Sequence, residues 1–168
     1  MQLTRLTVRD LRLIEAAELA PGPGLNLLVG ANASGKTTLL EAIYLLGRGR
    51  PLRQRHAARL IRDGREQMLV SGSLSERDGS RHVLGVARAA GRLELRRDGQ
   101  AARSSLELAA LLPLQFIHPE IHHLVQAGPV LRRQFLDRGL FHVEPNVLDG
   151  WCRYQRALRQ RNAALKSG

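Results

Sequence analysis

The sequence predicts an α/β fold, and three observations carry the prediction. A glycine-bounded loop at residues 30–36 lies between a short apolar run and a helical stretch. A region of period-two patterning follows at 67–103. From about residue 104 onward the chain reads as mainly helical, with one short strand, down to residue 168. Strand, glycine loop and helix in that order belong to α/β architectures.

Residues 3–8 alternate apolar and polar side chains as a half-buried strand does, and 14–19 form a second strand. Pro21, Gly22, Pro23 and Gly24 force a turn. The apolar run 25–29 directly after it reads as a buried strand. Beyond the loop, apolar residues at 39, 40, 43 and 46 share one helix face, and Gly47 is expected to end that helix. Residues 48–66 form a basic connector with Arg48, Arg50, Arg53, Arg55, Arg59, Arg62 and Arg65. Strand candidates at 67–74, 81–88 and 92–96, with Asp-Gly pairs at 63–64, 78–79 and 98–99, make an antiparallel meander. Ser104 to Glu107 has capping-box form and opens a short helix that Pro113 stops. A short strand at 114–117 and helices on both sides of Gly128-Pro129 follow. The last helix runs from Val147 to the end, which reads as a chain cut short. Two regions are expected: a head at 1–127 and the start of a helical lobe at 128–168.

Composition narrows the function classes. Twenty-six basic against fifteen acidic residues give a net charge of +11, with Lys36 and Lys166 the only lysines. Arginine-favouring codon usage explains this without a function. Polyanion binding explains it with one, because arginine forks pair bidentately with phosphate and release counterions from nucleic acid. One cysteine, Cys152, cannot make an intramolecular disulfide. No apolar run approaches the ~20 residues that span a bilayer. The charged N-terminus does not resemble a signal peptide. The expectation is a cytoplasmic protein with no membrane partner.

The loop Gly30, Ala31, Asn32, Ala33, Ser34, Gly35, Lys36, Thr37 fits the pattern of two glycines with four residues between them, then lysine and serine or threonine. Glycines let backbone N–H groups turn inward around phosphate oxygens, and the following helix adds its dipole. Lys36 reaches the outer phosphates and Thr37 offers a hydroxyl to Mg²⁺. The expected ligands are therefore ATP and Mg²⁺, with Thr38 also beside the nucleotide. A glycine turn that merely caps a helix is the bland alternative, and the strand–loop–helix context argues against it.

Asn32 with its small neighbours, followed by Lys36 to Ile43, resembles the heads of SMC-type and RecF proteins. Within that group the sequence is most similar to the RecF family of bacterial DNA replication and repair proteins. Residues 6–12 look like the family's opening strand and arginine-bearing turn; 30–50 like its phosphate loop and first helix. Residues 113–120 look like the segment with its Q-loop glutamine, and 128–137 and 154–162 like two further RecF stretches. The resemblance covers essentially the whole chain and about the N-terminal half of a RecF protein. It implies an incomplete ABC-ATPase-like P-loop NTPase head with an antiparallel β-meander and a C-terminal helical segment. It places Arg12 at the nucleotide and Gln115 at Mg²⁺ or the attacking water, as the catalytic candidate. It also implies ATP-dependent dimerisation on DNA, action at gap junctions, recombinase loading with RecR and RecO partners, and a part in the SOS response. The Mg²⁺-binding aspartate, its neighbouring glutamate and the signature loop of the family have no counterpart here, so this chain alone is expected to be inactive. Ala33 stands where the family usually has glycine, Leu13 where it has asparagine, Ala127 where it has glycine, and Arg138 where it often has tryptophan.

Among the remaining candidates, Arg48, Arg50, Arg53 and Arg55 are the expected DNA contacts, the alternative being a solvated basic surface. His118, Glu120, His122 and His123 lack the cysteines and helical spacing of a metal site, because Pro119 intervenes. Cys152 reads as a structural thiol. Two other functional classes stay open at this point: a small-molecule kinase with 48–66 as an arginine lid, and a nucleic-acid-binding fragment indifferent to ATP.

Overall fold

The computed structural model describes residues 1–52, 59–89, 91–117 and 147–167. Two compact units emerge, residues 1–116 and 117–168. The sequence-based boundary at 127/128 lies outside the described residues.

The first unit is built on a six-stranded antiparallel sheet of order β2-β1-β3-β4-β5-β6. Its strands are β1 (Gln2–Leu11), β2 (Ile14–Leu19), β3 (Gln67–Ser75), β4 (Arg81–Ala89), β5 (Arg92–Arg97) and β6 (Gln100–Ala101). Alternation decides which face is dry: Leu6 and Val8 of β1, Met68, Val70 and Leu74 of β3, and Leu84 and Val86 of β4 are buried. The opposite face carries mainly small or polar residues, with Thr7, Ser71 and Gly85 in register across β1, β3 and β4, and exposes Leu69 and Val83 beside them. Helix α1 (Lys36–Arg48) lies on the dry face and packs against α2 (Ser105–Leu111). Each fully buried leucine here contributes about 1.5–3 kcal/mol.

The meander follows the Asp-Gly signals at two of its turns. Gly79 closes the β3–β4 hairpin at φ 89°, with the Glu76 and Ser80 backbones bonded across it. Asp98 and Gly99 both adopt positive φ between β5 and β6, the geometry of a type I′ turn. The Asp98 carboxylate accepts from the Val83 N–H and pairs with His82 at 2.8 Å. These bonds, the Val83 N–H foremost, hold its pKa below the ordinary carboxylate value. The β4–β5 turn instead uses Gly91, at φ 77°.

Three sequence expectations are corrected. Residues 25–29 form no strand and are not buried: Leu25 is 95% and Val29 81% exposed. An apolar run becomes a buried strand only when neighbouring strands accept its backbone bonds, and among the described residues none does. Residues 114–117 are likewise irregular rather than a strand. Helix α1 does not end at Gly47, which is buried inside it. A methyl there would collide with Leu114 Cδ2 and the Leu112 carbonyl. The helix ends at Gly49, in the left-handed conformation that allows its N–H to bond the Leu45 carbonyl.

The second unit is described through α3 (Val147–Ser167), a 21-residue helix. Arg153, Arg156, Arg159 and Arg161 are exposed on it, while Gln155 and Leu158 are partly covered. His118, Glu120, His122, His123, Ala127 and Arg138 lie outside the described residues, as do Arg53, Arg55 and the side chain of Cys152.

Candidate nucleotide site

The loop enters α1 through backbone strain. Ala33 has φ 63° and Gly35 φ 96°, so both use the left-handed region, and Gly35 is the N-cap. At Gly30 a methyl would meet Ser34 Oγ at 2.9 Å, so that hydroxyl would have to turn away. The first intrahelical bond runs from the Leu39 N–H to the Gly35 carbonyl. The amides ahead of it therefore have no intrahelical acceptor. No side chain caps this end, and no acid stands in the first turn. The helix thus presents bare N–H groups and the positive end of its dipole, the arrangement that binds phosphate.

Lys36 completes the positive field. Its Nζ donates to the Gly30 carbonyl at 2.8 Å and to the Ala31 carbonyl, which keeps the ammonium against the loop. An ammonium carries three donors, so the third is free to meet an anion while two hold the loop in shape. Residues 30–34 and Thr37 are exposed. Thr38, by contrast, is 6% exposed and turned toward the core, so Thr37 is the hydroxyl of this pair that opens to a ligand. Thr37 at the start of the helix has the chemistry to accept Mg²⁺ beside the phosphates. Among the described residues no cluster of three or more histidines, cysteines or carboxylates could hold a metal by itself. Bound Mg²⁺ would rely on the nucleotide's oxygens and water for most of its ligands.

Ala33 now has a physical consequence. A β-carbon at φ 63° costs about 1–2 kcal/mol relative to glycine. Ala33→Gly is expected to tighten Mg·ATP binding several-fold, read by titration with a fluorescent ATP analogue, if the nucleotide selects this left-handed loop shape from others that the free loop samples. An unchanged affinity would show that the strain persists equally in both states.

Arg12, expected beside the nucleotide, pairs with Glu41 of α1. Its Nε donates to Oε2 and its Nη2 to Oε1 at 2.9 Å. Gln115 is exposed, between Leu114 and Phe116. The Leu114 carbonyl accepts from Arg48 Nη2 at 2.7 Å, and the Phe116 ring meets Tyr44 edge-on. Both anchors belong to the C-terminal half of α1, away from the loop. Arg48 is thereby tied to the fold, whereas Arg50 is exposed. Glu41 is the residue that sequence reasoning missed. A carboxylate in an otherwise apolar helix, with an arginine in the turn between the first two strands, was the available signal.

Comparisons with known proteins agree with this geometry. An AAA domain model matches residues 5–67. The DNA replication and repair protein RecF of Pseudomonas syringae pv. tomato is 44% identical over the whole chain, which spans 46% of that protein. A solved structure of the recombination mediator protein RecF with ATP, from the RecFOR pathway, superposes with a TM-score of 0.83 at 27% identity. It covers 98% of this chain and 44% of its own. The SMC head domain from Thermotoga maritima shares the fold at a TM-score of 0.51 and 16% identity, over 61% of this chain and 39% of its own. Matched in sequence and fold from one end to the other, though over less than half of its relatives' length, the chain belongs to the RecF family.

Proposed function

We propose that this chain binds ATP with Mg²⁺ at residues 30–37 and serves a RecF-type protein acting on DNA in replication and repair. The observation that carries the reading is the uncapped, acid-free N-terminus of α1 with Lys36 folded across the loop. Relatives matched over the full chain are named for DNA replication and repair, and a RecF bound to ATP shares the fold. In this reading the nucleotide switches the protein between states through the contacts it makes in one of them. ATP-dependent dimerisation on DNA, RecR and RecO as partners, recombinase loading and a cytoplasmic location belong to the same proposal. The described part of the chain contains no helix long and apolar enough to cross a membrane. Gln115 takes part in hydrolysis only if the segment 113–117 comes to the loop.

DNA contact rests on the connector. Replacing Arg50, Arg53 and Arg55 by alanine should weaken duplex binding alike across sequences. The log–log salt slope should fall in magnitude by about 1 for each phosphate that is no longer neutralised. Adding Arg48→Ala is expected to lower stability as well, through its bond to the Leu114 carbonyl. An unchanged slope would mark the connector's charge as compositional. Binding of a fluorescent ATP analogue, with and without Mg²⁺, tests the nucleotide half of the reading separately.

A further inference from the structure

We propose that Glu41 and Arg12 form a positioning pair that links the nucleotide loop to the end of the arginine-rich connector. The proposal rests on the nucleotide and DNA reading above. Glu41 is 3% exposed, and no other carboxylate among the described residues lies in the core. It sits on α1 about a turn and a half beyond Lys36. A buried carboxylate is tolerated only when paired and hydrogen-bonded. Here both of its oxygens are taken by the planar fork of Arg12.

Arg12 is itself held from several sides. It lies in the turn between β1 and β2 at φ 51°, with Asp10 at φ 49°. Its N–H donates to the Leu60 carbonyl at 2.8 Å, and its Nη1 reaches the Arg59 carbonyl at 3.4 Å. The Arg62 N–H returns a bond to the Asp10 carbonyl at 2.8 Å, and Leu11 bridges Ile61. Arg62 pairs with Glu15 at 2.9 Å, and Arg65 lies 3.3 Å from Asp10. Residues 59–65 are thus fastened to the β1–β2 turn by backbone bonds and ion pairs together.

The same turn touches the loop. Ile14, the first residue of β2, packs on Gly35, where a β-carbon would lie 3.4 Å from Ile14 Cγ1. The turn therefore grips α1 at its N-cap through Ile14 and deeper in through Glu41. Phosphate binding acts on the amides between those two points. Any shift or stiffening of the first turn of α1 is carried through the Arg12 fork to residues 59–65, because the fork fixes both distance and orientation. A point charge on a flexible stem would not fix them. The binding of nucleotide and of a polyanion at the connector are then coupled, and the coupling is reciprocal.

The test compares duplex DNA affinity of the full chain with and without saturating Mg·ATP analogue, for the parent and three variants. The parent is expected to bind about tenfold more tightly with nucleotide, within the usual range of coupled sites. Glu41→Gln and Arg12→Lys should bring that ratio close to one. Because unpairing a buried charge can unfold the chain, Arg12→Met with Glu41→Met replaces the pair by apolar side chains of similar length, a change often neutral for stability. This folded double variant should also show a ratio near one. A parental ratio in the double variant, or in folded Glu41→Gln, would overturn the linkage. A ratio of one in the parent itself would instead overturn the nucleotide-switched reading of the chain, and the linkage with it.

Discussion

Lys36→Ala is expected to weaken ATP binding by about 100-fold or more while leaving the melting transition nearly unchanged. The lysine's partners are the carbonyls of Gly30 and Ala31 in an exposed loop, so its removal opens no cavity in the core. A hydrogen bond between charged groups contributes about 1.5–3 kcal/mol, so loss of the one that the third ammonium donor makes to a phosphate oxygen, together with the ammonium's attraction for the other phosphate charges, gives the predicted effect. Neutralising the ammonium also removes the only side-chain cation among residues 30–37. Titration of a fluorescent ATP analogue against parent and variant, beside a thermal melt of each, separates binding from folding. Equal affinities would take Lys36 out of its role and with it the carrying observation of the proposed function. Lys36→Arg keeps the charge but not the compact geometry, and is expected to recover only part of the affinity.

The second large effect concerns catalysis. The 168-residue chain by itself should bind ATP yet release phosphate no faster than its Lys36→Ala variant. Phosphoryl transfer requires the metal to be fixed and charge around the γ-phosphate to be stabilised, by groups already in position. The described residues bring Lys36 and Thr37 to the loop. Gln115 stays with the C-terminal half of α1, where Arg48 and Tyr44 anchor its neighbours. Arg12, which the family resemblance places at the nucleotide, pairs with Glu41. Loss of positioning and of electrostatic stabilisation each removes several kcal/mol of barrier lowering. Phosphate release from the purified chain at saturating Mg·ATP decides the matter. Turnover well above the Lys36→Ala background would show that this chain holds its own catalytic groups.

Much of this protein is legible in its sequence. The phosphate loop is a local object, set by glycine freedom, a lysine and a helix start within eight residues, so its chemistry can be read from neighbours in sequence. The β-meander is local in the same sense, since hairpin turns pair strands that follow one another, and Gly79 and Asp98-Gly99 mark two of the turns. Alternation then sets which face of each strand is dry.

Where partners are distant, the sequence was silent or misleading. Residues 25–29 have the composition of a buried strand, but burial needs neighbours, and local composition does not say whether they are there. Nearly every position of α1 between 39 and 46 is apolar, so periodicity pointed to a face at 39, 40, 43 and 46. The structure instead buries 38, 41, 42, 45 and 46, and leaves Leu40 45% exposed. That phase puts Glu41 in the core, which no hydrophobic pattern would choose. It is acceptable only because Arg12, twenty-nine residues earlier in the chain, arrives to neutralise it. The sequence by itself determined the loop, the meander and the family. Tertiary structure decided the rotation of the helix that carries the loop, the fate of the 25–29 run and the employment of Arg12. Each of these depends on a charge or strand partner supplied from elsewhere in the chain, and the energy of such a pairing does not exist until the fold brings the two together.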